Sequence, residues 1–186
     1  YHDEQGQLTC IEEGYASAAY ECDWNGRASL ARYYDEHGYP AMQEDGYEVK
    51  QMEYDENDNI IWEAYFLSDG SMVKCTDGYE AKRCIYDGLG RVLAEQYLDA
   101  DGNAACAANG AYQMKMEYDS DDRVAAETYA DLDGNPVMTS DGYSRIEYLY
   151  DEMYAEYYAG SVMGQEEMEQ RVLEEYYQDT DHNPVT

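Results

Sequence analysis

Basic residues are scarce in this chain. Lys and Arg total 11 against 42 Asp and Glu, a formal net charge of -31 over 186 residues. A surface so poor in cations cannot neutralise phosphates, which argues against direct binding to nucleic acid. Phe (1), Trp (2), Pro (3) and His (3) are also rare. The histidines, His2, His37 and His182, are scattered, so no HExxH pair is present to hold a hydrolytic metal. Ser161 lies outside any Gly-x-Ser-x-Gly elbow. Carboxylates this abundant would supply a glycosidase pair at almost any spacing and therefore select none. Nothing points to an enzyme. No apolar run approaches the roughly 18 residues a membrane helix needs, so no membrane span is expected.

The 5 cysteines cannot all pair within one chain, and none forms a CxxC. They substitute for other residues in a repeating pattern: Cys84 stands where Tyr20, Met52, Met116 and Tyr148 stand elsewhere, and Cys22 where Tyr54, Tyr86, Tyr118 and Tyr150 do. Free, packed thiols are expected, and both redox compartments stay open.

What is abundant is tyrosine, with 23 copies. Acidic chains with few aromatics are disordered; acidic chains with periodic tyrosines have the material for a core. The period is 32: Tyr1, Tyr33, Tyr65, Tyr97 and Tyr129 each open a unit. Gly6, Gly38, Gly70, Gly102 and Gly134 form one column, and Gly14, Gly46, Gly78, Gly110 and Gly142 a second. Asp23, Asp55, Asp87, Asp119 and Asp151 form a third. A period of this length marks a repeat array, here one domain covering residues 1–186. A partial unit begins at 177. The chain opens on a repeat at Tyr1 and stops inside one, as a processed product or part of a longer array would.

Tetratricopeptide and ankyrin repeats have similar periods, but their paired helices do not fit between turn signals this close. The intervening segments are rich in Tyr, Val, Ile and Met and partly alternate, which predicts strands. Tyr47–Asp55 and Ile60–Tyr65 flank the turn 56–59. Tyr79–Tyr86 and Arg91–Tyr97 flank 87–90, and Tyr112–Tyr118 is followed by Arg123–Tyr129. Each unit is thus a β-hairpin plus a short extended step such as Pro136-Val137-Met138, in an all-β fold of hairpins stacked as an elongated ribbon or solenoid. The fifth unit is interrupted, since Arg171 stands 48 rather than 32 beyond Arg123. Met, Ala, Glu and Gln within 152–170 predict a short helical insertion there.

Tyr86-Asp87-Gly88-Leu89-Gly90-Arg91-Val92-Leu93 resembles the tyrosine-aspartate (YD) repeat of bacterial Rhs proteins and teneurins. Tyr54-Asp55, Tyr118-Asp119 and Tyr150-Asp151 carry the same half-motif. The resemblance implies a spiralling β-hairpin array. The rhythm of Tyr34-Asp35-Glu36-His37-Gly38 and Glu44-Asp45-Gly46-Tyr47 is similar to choline- and glucan-binding cell-wall repeats, in which aromatics bind ligand between units.

Two kinds of site are suggested by the residues themselves. Asp99, Asp101 and Asn103, and again Asp131, Asp133 and Asn135, present alternating oxygens of the kind that bind calcium, although Asp-Gly turns are also ordinary hairpin chemistry. Tyr47, Tyr79 and Tyr143 are candidates for stacking on a sugar, with core packing as the alternative. The expected function is a non-enzymatic extracellular or cell-surface repeat acting as scaffold, adhesin or filament-forming segment. Its partners would be a glycan, a surface protein or further copies of itself. The alternatives are a cell-wall carbohydrate-binding module and an acidic decoy that mimics nucleic acid to block a basic protein.

Overall fold

The computed structural model describes residues 1–2, 6–150 and 172–185. The strands are β1 (Ser17–Cys22), β2 (Ala28–Tyr34), β3 (Val49–Tyr54), β4 (Ile60–Phe66) and β5 (Ala81–Tyr86). They continue with β6 (Val92–Leu98), β7 (Gln113–Tyr118), β8 (Val124–Ala130), β9 (Arg145–Tyr150) and β10 (Val172–Gln178). All belong to one antiparallel 10-stranded sheet whose spatial order is the order of the chain, and it does not close into a barrel. Tandem hairpins are therefore the architecture. β4 begins at Ile60 as the sequence suggests, whereas β3 and β5 begin two residues later, because Tyr47 and Tyr79 still belong to the preceding turn: their carbonyls accept the N–H groups of Gln43 and Cys75. The helical insertion expected near 152–170 lies outside the described residues. β9 and β10 nevertheless pair as the other hairpins do.

In units two to four, which are described throughout, three turns per unit share one construction of five residues. The first N–H donates to the fifth carbonyl, and the fourth N–H donates back to the first carbonyl. Asp87–Arg91 does this at 2.9 and 3.1 Å, Asp99–Asn103 at 2.8 and 3.0 Å, and Cys75–Tyr79 at 2.9 and 2.9 Å. The fourth residue takes a positive φ, which glycine adopts without a Cβ penalty. Asp58, Asp122 and His182 hold that position in other copies, at φ of 67, 64 and 61°. They are tolerated at turns that face solvent, as Asp and His are among the side chains enriched in this region. Gly78 is held to a stricter requirement. A Cβ there would meet the backbone N of Ala108 at 2.7 Å, because the equivalent turn of the next unit packs directly on it.

Hairpin strands are joined by six residue pairs, with a bulge beside the turn at Ser29, Ile61, Leu93 and Ala125, whereas neighbouring hairpins share only three pairs. Backbone pairing thus makes the hairpin strong and leaves the joint between units short, so other contacts must hold units together. One set is a second line of backbone hydrogen bonds between loops. Thr76 N–H donates to Asp45 O at 2.8 Å, Ala108 to Asp77 at 2.6 Å and Ser140 to Asn109 at 2.8 Å. These loops lie over one face of the sheet and bury it. The covered face holds Tyr47, Tyr65, Cys75, Tyr79 and Tyr97 with Ala107 and Ala111. The opposite face has a smaller cluster of Ala64, Ala81 and Leu98, flanked by Trp62, Phe66 and Met72.

All five cysteines are free. Cys75 and Cys84 are packed as expected. Cys10, Cys22 and Cys106 are exposed, so packing does not extend to them. Cys10 and Cys106 share a solvent-facing column with Met42 and Met138, whereas Cys22 stands in the half-buried column of Tyr54 and Tyr86.

Candidate functional site

The tyrosine-aspartate motif acts between units rather than within one. Each Tyr of the pair sits at the end of the first hairpin strand, and its hydroxyl donates to a carbonyl 26 residues earlier, in the preceding hairpin. The bonds are Tyr54 to Ala28 (2.8 Å), Tyr86 to Ile60 (2.7 Å), Tyr118 to Val92 (2.8 Å) and Tyr150 to Val124 (2.8 Å). Each such bond contributes on the order of 1 kcal/mol. The Asp that follows builds the hairpin turn. Asp119 Oδ1 accepts the N–H groups of Asp121 and Arg123 at 2.9 and 3.0 Å, and its Oδ2 accepts Arg123 Nε at 2.7 Å.

Held in that way, the guanidinium lies over the tyrosine of the next unit. Arg27 sits 4.7 Å from the Tyr54 ring centre, Arg91 4.4 Å from Tyr118 and Arg123 4.4 Å from Tyr150. A cation over a tyrosine face is worth about 0.5–2 kcal/mol according to its exposure. Asn59 occupies the remaining position and brings its carboxamide to Asp55 at 2.9 Å instead.

A line of tyrosine rings runs along the covered face. Tyr15 meets Tyr33 at 4.9 Å, Tyr33 meets Tyr47 at 6.0 Å, and Tyr47 stacks on Tyr65 at 4.8 Å. Tyr65 meets Tyr79 at 6.1 Å, and Tyr79 stacks on Tyr97 at 4.6 Å with an interplanar angle of 15°. The line resumes at Tyr129, which meets Tyr143 at 5.9 Å, and Tyr143 meets Tyr177 at 4.8 Å. It breaks between Tyr97 and Tyr129, where Ala111 occupies the column of Tyr15, Tyr47, Tyr79 and Tyr143. Burial raises the phenol pKa of Tyr65, Tyr79 and Tyr97 far above the ordinary value, with neighbouring ionisable groups adding to the effect.

Beside the rings runs a line of alternating charge. Lys50 pairs with Glu63, and Lys82 with Glu63 at 3.6 Å and Glu95 at 2.8 Å. Burial works against the Lys82 ammonium, but Glu95 and Glu63 more than offset it, and its pKa ends above the ordinary lysine value. In the next two units the lysine position is held by Met114 and Ile146. At these two columns unit four therefore lacks both the ring and the lysine, and a cavity of about 470 Å³ opens beside them. Tyr97, Tyr129 and Met114 line it from the sheet, with Asp77, Asp141 and Glu95 supplying carboxylates.

The residues singled out for metal and sugar fall as follows. Asp99 Oδ1 accepts the N–H groups of Asp101 and Asn103 at 3.0 and 2.8 Å, and Asp131 Oδ1 those of Asp133 and Asn135 at 2.9 and 2.8 Å. The side chains of Asn103 and Asn135 also donate to those carboxylates. Donation from the backbone N–H of Asn103 and of Asn135, first among the causes, lowers the pKa of Asp99 and Asp131. The three residues of each candidate calcium set are thus joined to one another by the turn itself. Among the described residues no group of three or more His, Cys, Asp or Glu is gathered to hold a metal ion. Tyr47 and Tyr79 are buried with rings on both neighbours, while Tyr143 is half-buried.

Sequence reasoning gave no role to Arg27, Arg91, Arg123 or Ala111. The arginines recur at a fixed distance behind the Asp, and Ala111 is a visible break in a tyrosine column. Either pattern was open to a reading column by column.

No protein-family model matches the chain, and no curated protein matches it. Among the described residues no helix is long and apolar enough to cross a membrane.

Proposed function

We propose that the chain is a non-enzymatic repeat scaffold at the cell surface or outside the cell, wound as a ribbon or solenoid, that serves as an adhesin or filament-forming segment. One observation carries this reading: the hydrogen bonds that join one unit to the next recur from hairpin to hairpin. The tyrosine hydroxyl reaches back 26 residues four times over, and the loop line repeats beside it. Such an interface can be extended without redesign. Among the described residues β1 and β10 pair on one side only, and an unpaired edge is a template for another strand.

End-to-end pairing of copies extends the same sheet, and the charge of -31 opposes it at low salt. Sedimentation and negative-stain microscopy across a salt series test the proposal. Thread-like assemblies that lengthen as salt rises are expected. A monomer unchanged from low to high salt and concentration contradicts the filament reading. Of the candidate sugar-stacking tyrosines, the half-buried Tyr143 is the one left for a glycan partner to approach.

A further inference from the structure

The break in the ring line at unit four defines more than a missing side chain. In unit three Tyr79 stacks on Tyr97 at 4.6 Å and meets Tyr65 at 6.1 Å. A ring at the equivalent place in unit four would stack on Tyr129 and meet Tyr97. Ala111 holds that place, fully buried in the cluster that includes Tyr97 and against which Tyr129 and Met114 pack. The lysine of Lys50 and Lys82 is missing from the equivalent position of the same unit, which Met114 holds. At these two positions the unit thus lacks a flat group and a positive charge side by side.

The molecule shows three times what fills such surroundings. Arg27, Arg91 and Arg123 each lay a guanidinium 4.4–4.7 Å from a tyrosine ring centre while an Asp carboxylate accepts its N–H groups. The cavity offers the same pairing of tyrosine faces and acid, with Asp77 and Asp141 exposed at its rim. Among the described residues that line it the one cation, Lys82, is already engaged with Glu95 and Glu63. Its volume of about 470 Å³ suits a small side chain rather than an extended surface contact.

We propose that the cavity between Tyr97 and Tyr129 is a binding site for a planar cation, the guanidinium of an arginine side chain presented by a basic partner. The guanidinium stacks on Tyr129 and takes the place of the absent ring. Its N–H groups donate to the rim carboxylates. This site does not depend on the scaffold reading, and a chain that never forms filaments would still hold it.

The test uses the whole chain with methionine methyls labelled, titrated with arginine amide, lysine amide and methyl glucoside. Met114 lines the cavity and reports occupancy. Arginine amide should shift the Met114 methyl signal saturably, with lysine amide at least tenfold weaker and methyl glucoside silent. Ala111→Tyr leaves the net charge unchanged and puts a ring between Tyr97 and Tyr129, against the faces the guanidinium would use, so it should weaken arginine binding at least tenfold. Should that variant fold poorly, Asp77→Asn with Asp141→Asn keeps the cavity and should weaken binding at least fivefold. Equal responses to the two amides, unaltered binding in a folded Ala111→Tyr protein, or a response to the glucoside alone would each overturn the proposal. So would silence with all three probes.

Discussion

Units three and four are built to one plan and differ where it shows most. Unit three has Tyr79, Lys82 and an unbroken stack; unit four has Ala111, Met114 and a cavity. Both keep the same turns, the same loop hydrogen bond to the next unit and the same tyrosine hydroxyl reaching back to the preceding hairpin. The difference separates two jobs that the tyrosines share. Those of the Tyr-Asp pairs join one hairpin to the next and are present in each unit from the second to the fifth. The stacked rings fill volume, and one can be absent while the sheet continues through it.

Alkaline titration breaks the comparison most widely, because it acts on every buried phenol. The folded-state pKa values of Tyr65, Tyr79 and Tyr97 are raised above the ordinary 10.0, chiefly by burial. Their contribution is complete below pH 10 and falls as pH rises, since the unfolded chain ionises there and the folded chain does not. Each such tyrosine should cost about 1.4 kcal/mol per pH unit above that point. Circular dichroism should show cooperative unfolding beginning above pH 10, and a stability that is flat to pH 12 contradicts the account.

Tyr97→Ala removes a ring buried to 6% exposure and stacked on Tyr79. It also joins the existing cavity to a new one. Urea unfolding should register a loss of about 3–5 kcal/mol. A loss under about 1 kcal/mol would mean that the rings are surface decoration.

Asp119→Ala tests the turn rather than the stack. It leaves the N–H groups of Asp121 and Arg123 without their acceptor and frees Arg123 from its place over Tyr150. The cost should be about 1–2 kcal/mol, with Asp119→Asn recovering part of it because one oxygen remains. Equal loss in both variants would locate the effect in the ion pair instead of the turn.

Much of this architecture was legible in the chain. The recurrence of Gly78 and its equivalents marked turns, and the runs around Tyr54-Asp55 and Tyr86-Asp87 marked hairpins. What the hairpin signal could not convey was direction: a tyrosine at the end of a strand can satisfy its hydroxyl in its own unit or in the one before. Only the register of β2 on β3, which brings Leu30 opposite Gln51, decides that for Tyr54. The Asp99 and Asp131 turns illustrate a second limit. Oxygens spaced at alternate residues suit a calcium ion, and the same spacing lets the first carboxylate accept the two N–H groups that follow. Sequence spacing is identical in the two cases. The cavity at unit four was written in Ala111 and Met114, but a column break acquires meaning only once the column is known to be a stack.

Thermal melting of Ala111→Tyr against the unmodified chain tests the central claim most directly. If unit four is unit three with a ring removed, the new tyrosine stacks on Tyr129, Met114 moves aside as a flexible side chain can, and stability rises by about 1 kcal/mol. For a chain of this size that is a rise of roughly 2–4 °C in Tm. A fall in Tm would contradict the account, because it would show that the space at Ala111 is already filled and that the two units do not share one plan.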